Sequence, residues 1–222
     1  MKSTIKKRTW KAIYRLLDRV SPVPYDCGAL CNAACCCGGS DGFPFSAETD
    51  ADGALLCPAA SCDADGALLA DPSLEDDGTL GIYLYPGEEK IHDKKDPWLK
   101  WTVERAEDYE FPDSWVGNLY FVRCQTPPHC PREKRPLQCR TYPLLPHITE
   151  DGFFFLVRNN DPDLPYRCPL IEDHMELDPR FVRATYTAWK HLLRDPKIFD
   201  LVEMDSRARE ESGAELQFEE VR

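Results

Sequence analysis

The residues of this 222-residue chain whose types and spacing could do chemistry are its 11 cysteines. Five of them fall between Cys27 and Cys37, in the order Cys27-x3-Cys31-x3-Cys35-Cys36-Cys37. A second group runs Cys124-x5-Cys130-Pro131, then Arg135-Pro136-Leu137-Gln138-Cys139-Arg140, with Cys168-Pro169 farther on. Tetrahedral zinc and iron-sulfur clusters both require soft thiolates that converge closely, and densely spaced cysteines supply several from one turn. Bringing the two groups together would cross-link the N-terminal and central parts of the chain around metal. Thiolates favour zinc, iron-sulfur or copper(I) over magnesium or calcium. Spacing does not choose among these, since neither the paired Cys-x2-Cys of a zinc ribbon nor the ferredoxin run Cys-x2-Cys-x2-Cys-x3-Cys-Pro is present.

A cysteine can also serve as a small buried hydrophobe. Five in a Gly- and Ala-rich turn are a poor recipe for core packing, so the first group reads as ligands. Cys168, alone in Arg-Cys-Pro-Leu, fits either role, while Cys57 and Cys62, a CPAASC pair, read as incidental. Arg135 and Arg140 are placed to hydrogen-bond a multi-thiolate centre or offset its charge, with solvation the other use of Arg135. His129 and His147 are conceivable replacement ligands, although a lone histidine is more often solvent-facing or structurally hydrogen-bonded. Glu88-Glu89 and Glu172-Asp173 read as solvated faces in a chain with 39 acidic residues. No G-x-G-x-x-G, G-x-S-x-G or H-E-x-x-H occurs, and no nucleophile or general base stands out.

The net charge of -12 argues against nucleic acid as a partner, because phosphate binding needs clustered Lys and Arg. The basic start MKSTIKKRTWKAIYRLLDRV is not followed by the apolar run of about seven to fifteen residues that marks a signal peptide. Nor does any stretch reach the roughly 20 apolar residues of a membrane-spanning helix. A cytoplasmic location follows as the expectation, and in a reducing compartment cysteines serve as thiolates rather than disulfides. The odd number of cysteines points the same way. A protein partner is compatible with all this, but the sequence identifies none.

The elements that must position the cysteines can be read in outline. Residues 1–22 carry an amphipathic helix from Ile5 to Val20, with Trp10, Ile13, Leu16 and Leu17 on its apolar face, ended by Pro22 and Pro24. Packing on its own domain is the more common use of such a helix than lying on a membrane. Residues 23–170 form the cysteine-bearing domain. It is interrupted at about 38–79 by an acidic segment in which the hexapeptide ADGALL begins at Ala51 and again at Ala64, which reads as a mobile insertion. Short strands are expected at GIYLYPGEE after Leu80, from Trp115 to Val122, and at Gly152–Arg158. Over 171–222, one helix opens at Pro179 through Phe181, Tyr186, Trp189 and Leu192. A second, short one follows Pro196 with Ile198, Leu201 and Val202 buried, before an acidic, fraying tail. The aromatic residues read as core. Together these predict a small irregular α+β domain centred on metal, with helices at both termini and short central strands.

Cys27, Cys31, Cys35 and Cys36, the strand with Leu84 followed by Glu88 or Glu89, and Cys130 with the RPLQCR segment ending in Tyr142-Pro143 resemble the YkgJ-type CxxCxxCC cysteine-cluster family. The likeness covers about 25–170 apart from the insertion. It implies a zinc- or iron-chelating domain with about eight ligands, carried over as Cys27, Cys31, Cys35, Cys36, Cys124, Cys130, Cys139 and Cys168. Here the first motif is stretched to x3 and x3 and Cys37 makes a triple, so Cys36 and Cys37 can exchange roles. The cluster of bacterial flagellin lysine methylases looks similar, and for it an iron-sulfur centre is expected. Two functions stay open: a metal-binding protein holding zinc or an iron-sulfur cluster, and an enzyme or redox protein using such a cluster in methyl transfer or sulfur chemistry.

Overall fold

The computed structural model describes residues 1–25, 27–31, 34–37, 81–126, 130–162, 164, 166–213 and 215–221, with the backbone alone at 29, 36 and 37. The fold is α+β. The insertion at about 38–79, with both ADGALL repeats, Cys57 and Cys62, lies outside the described residues, as does His129.

Helix α1 spans Lys7–Leu17 and buries Trp10, Ile13, Tyr14 and Leu17, one face at three- and four-residue spacing. It is shorter than the predicted Ile5–Val20. Leu16 is a correction: a step of about 100° from Leu17 turns it off that face, and it stands 37% exposed. Two longer helices close the chain. Helix α6, Pro179–Leu192, begins as predicted with Pro179 in its first turn and Asp178 accepting from the Arg180 amide. Helix α7, Pro196–Glu211, buries Ile198, Leu201 and Val202, and it is not short but 16 residues long. Asp195 joins the two ends of the chain. One of its carboxylate oxygens caps α7 at Lys197, and the other accepts from the Ser3 hydroxyl and from the amide and hydroxyl of Thr4.

Among the described residues, six strands make two antiparallel sheets. The first orders β1 (Gly81–Tyr83), β3 (Asn118–Cys124) and β2 (Leu99–Arg105) with β3 in the middle, and the second runs β4 (Leu144–Ile148), β5 (Phe154–Arg158), β6 (Phe218–Glu219). Of these, β2, β4 and β6 were not expected. Strand β6 corrects the fraying tail: Phe218 pairs with Val157 and Glu219 with Leu156, so the end of the chain covers an open edge of β5. The main core gathers Trp10, Leu137, Leu144, Leu156, Phe181, Trp189 and Ile198, so the terminal helices and the second sheet share one interior. A smaller cluster of Leu84, Trp98, Leu99 and Val122 lies on the first sheet, with Cys124 and Cys130 packed against it. Among the described residues no helix is long and apolar enough to cross a membrane.

One half-buried carboxyl on α7 sets a pH dependence. Burial pushes the Asp205 carboxyl up to about 6, although the nearby Arg209 guanidinium opposes the shift. A carboxyl raised in this way favours the fold while it can be protonated, and that contribution is lost as pH rises through about 6. Asp205→Asn is therefore expected to raise the melting temperature at pH 7.5, by on the order of 4 °C, and to change it little at pH 4. An equal shift at both values in thermal scans would refute the assignment.

Candidate metal centre

Four of the predicted ligands meet at one cavity. Its lining includes Cys27, Cys31, Cys35 and Cys168, with the ring of Tyr142 beside them. The first three come from helix α2, Gly28–Cys31, which follows Cys27, and helix α3, Ala34–Cys37. Both are single turns, and Leu30 N–H donates to Cys27 O at 3.0 Å. Cys31 ends α2 and Cys35 lies in α3, so the Cys-x3-Cys-x3-Cys pattern is spread over two separate turns whose thiols share the cavity. The Cys36 and Cys37 side chains lie outside the described residues.

Cys168 arrives from the other end of the domain. It stands at the start of α5, Pro169–Glu172, and its carbonyl accepts from the amides of Ile171 at 2.9 Å and Glu172 at 3.0 Å. Buried Arg158 holds this turn from β5: its Nη1 donates to Leu170 O at 2.5 Å and to Met175 O at 2.8 Å. Tyr142 completes the wall. Its phenol is kept from ionising by burial first and then by Tyr166 and Cys168, so it stays neutral beside the thiols. The Tyr142–Pro143 peptide bond is cis.

Cys124 and Cys130 form a second group. Cys124 ends β3 opposite Leu99, and Arg135 Nε donates to Cys130 Sγ at 2.9 Å. The Cys130 thiol is held down at about 6 by its hydrogen bond with Cys124 and by the charge and hydrogen bond of Arg135, which together outweigh burial. A thiol held down in this way loses its proton more readily than an ordinary cysteine, towards the thiolate that binds metal and attacks electrophiles. Arg135 thus meets one cysteine of this group.

Cys139 sits in the middle of α4, Leu137–Thr141, close enough to Tyr14 for its charge to bear on that phenol. Arg140 turns the other way. It donates from Nε to Arg135 O at 2.7 Å and from Nη1 to Asp18 Oδ1 at 2.5 Å, and it covers the Tyr14 ring at 4.2 Å. None of these partners is a thiol. His147 is fully buried beside Glu210 at 3.2 Å and Phe218, the structural use of a lone histidine.

Glu88 is a correction to the solvated pair, whereas Glu172 is exposed as expected. Only 1% of Glu88 is exposed, and its carboxylate accepts from Tyr14, Tyr85 and Leu137. No local pattern announces such a residue, because two of its three partners, Tyr14 and Leu137, come from distant parts of the chain.

The donors fit the metals the sequence suggested. Seven cysteines, Cys27, Cys31, Cys35, Cys124, Cys130, Cys139 and Cys168, are present as thiols, and thiols suit zinc or an iron-sulfur cluster and not magnesium or calcium. Among the described residues no group of three or more His, Cys, Asp or Glu is arranged to hold a metal ion. The four cavity cysteines therefore line one space without closing into a coordination shell. Compared with family models, curated proteins and solved structures, the chain matches none.

Proposed function

We propose that this chain is a metal-binding protein that holds zinc or an iron-sulfur cluster through the thiolates of Cys27, Cys31, Cys35, Cys36, Cys124, Cys130, Cys139 and Cys168. The observation that carries this reading is the cavity shared by Cys27, Cys31, Cys35 and Cys168, to which a turn near the N-terminus and a turn after the second sheet each contribute. Apolar packing alone gives no reason for four thiols at one cavity. The resemblance to the YkgJ-type cluster family supports the same reading. The ligands need not close up beforehand, because metal binding and the ordering of its ligands are one equilibrium. Zinc would act as a cross-link, while an iron-sulfur cluster would add the capacity to carry an electron. The protein's place is the cytoplasm, where thiols persist in the reduced form.

Anaerobic purification followed by metal analysis and a visible spectrum tests the proposal. Stoichiometric zinc in a colourless protein, or iron and sulfide in a brown one, is the expected result. Protein that holds neither, and takes up neither on reconstitution under reducing conditions, would refute it.

A further inference from the structure

We infer that the buried carboxylate of Glu88 is the positioning residue for Cys139, fixing the α4 turn that presents this thiol to the metal; the inference rests on the metal-binding reading above. Both sides of Cys139 lead back to this one group. On the N-terminal side, Leu137 N–H donates to Glu88 Oε1 at 2.7 Å. On the C-terminal side, Arg140 covers the ring of Tyr14, whose hydroxyl donates to the same Oε1 at 2.5 Å. The second oxygen accepts from Tyr85 N–H at 3.0 Å, which anchors the carboxylate to the chain just beyond β1.

The location of the carboxylate is itself built. Gly87 has φ +92, a conformation that favours glycine, and a Cβ there would stand 2.9 Å from Ser3 Cβ and 3.0 Å from Trp10 Nε1. Only the bare backbone lets the chain enter beneath α1 at this point, and Glu88 is the next residue in. His92 Nε2 lies 2.9 Å from the Tyr14 hydroxyl oxygen and closes the far side of the group.

A five-residue helix cannot hold its own shape in water. Something must fix α4, and the tethers lie on residues flanking Cys139: Leu137 on Glu88, Gln138 Nε2 on Tyr83 O at 2.8 Å, and Arg140 on Arg135, Asp18 and Tyr14. Among the described residues Glu88 meets two of these tethers, the Leu137 amide directly and the Arg140–Tyr14 stack through the Tyr14 hydroxyl. A carboxylate buried for packing alone would have no need to meet the α4 amide and the Tyr14–Arg140 stack on one oxygen. Groups that orient metal ligands change metal affinity by about 10- to 100-fold when they are lost.

The test is alkylation of the zinc-loaded full-length protein with iodoacetamide, with the rate at each cysteine read by mass spectrometry. Glu88→Gln replaces one acceptor oxygen with an NH2 that faces a donor. It is expected to raise alkylation of Cys139 by about 10-fold or more while Cys168 keeps its protection. Tyr14→Phe removes a single donor, leaves the carboxylate in place, and is expected to give a smaller rise at Cys139 alone; it carries the test if Glu88→Gln does not fold. Unchanged Cys139 protection in a folded variant would overturn the inference, and so would an equal rise at every cysteine, the mark of general loosening. If zinc gives Cys139 no protection in the unaltered protein, the metal-binding reading falls and takes the inference with it. Protection of Cys139 by zinc that survives in both variants overturns the positioning role and leaves metal binding intact.

Discussion

On the proposed metal-binding reading, stripping the metal is expected to lower the unfolding midpoint of this protein by more than about 10 °C. A structural zinc contributes roughly 10–16 kcal/mol of apparent binding free energy, against a total stability of about 5–15 kcal/mol for an ordinary domain. The main core retains its own apolar packing, with Trp10, Trp189 and Phe181 fully buried, so the helices need not all melt. The cysteine-bearing turns have less to fall back on. Helices α2 and α3 are four residues each, Leu30 is 36% exposed, and Cys27 is half-buried. Isolated helices far longer than four residues are already marginal in water. Chelation should therefore abolish amide protection at Cys27–Cys31 first, with the fall in midpoint following. Cys168→Ser should reproduce most of that fall, and chelator added to this variant should do little more, because the same cross-link is already lost. A midpoint unchanged by complete metal removal would show that any metal held here is not structural.

The helices were legible because their signals are local. Asp followed by Pro opens both α6 and α7, and the buried residues behind each recur at helical spacing. The strands divided along the same line. Strands β3 and β5 are rich in aromatic and apolar residues, whereas β2, LKWTVER, carries charge at Lys100, Glu104 and Arg105 and is mostly open to water. Strand β4 hides for two reasons: nearly all its residues are buried, so no alternation shows, and Pro146 speaks against a strand. Its place at the edge of the sheet removes that objection, since an edge strand can leave one side of its backbone unpaired. The two-residue β6 has no signal of its own and exists through its pairing with β5.

The cysteines of the candidate site were legible in the sequence, and the groups that surround them were not. Dense cysteines at four-residue spacing carry their meaning locally, and Arg135 lies five residues from the thiol it meets. Cys168 fitted either of two uses in the sequence, and it is the shared cavity that favours the ligand. Glu88 reads as half of a solvated pair because nothing near it says otherwise. Its partners Tyr14 and Leu137 lie 74 and 49 residues away, and it is the packing of α1 against α4 and the turn at Glu88–Lys90 that brings them to one carboxylate. Arg140 was expected to face the thiolates and instead faces Tyr14, a choice made by a ring 126 residues distant.

Arg158→Met is expected to cost about 3–5 kcal/mol, as much as a third or more of the stability of an ordinary domain. The residue is only 7% exposed, and of its hydrogen-bond partners Leu170 is buried while Met175 and Glu219 are half-buried. Nη1 serves the carbonyls of Leu170 and Met175, while Nε serves the Glu219 carboxylate at 2.9 Å. Methionine fills a similar volume without a single donor, so two carbonyls and a carboxylate lose their partner together. Lysine keeps the charge but concentrates its donors at one point and cannot reproduce the fork, so Arg158→Lys should fall between the methionine variant and the unaltered protein. Denaturant midpoints should follow that order with little change in slope. The loss should also reach the metal, because the Leu170 carbonyl fixes the turn that begins at Cys168. Weaker zinc retention in Arg158→Met is expected alongside the lower midpoint. A methionine variant as stable as the unaltered protein would mean that this arginine holds neither β6 nor the Cys168 turn.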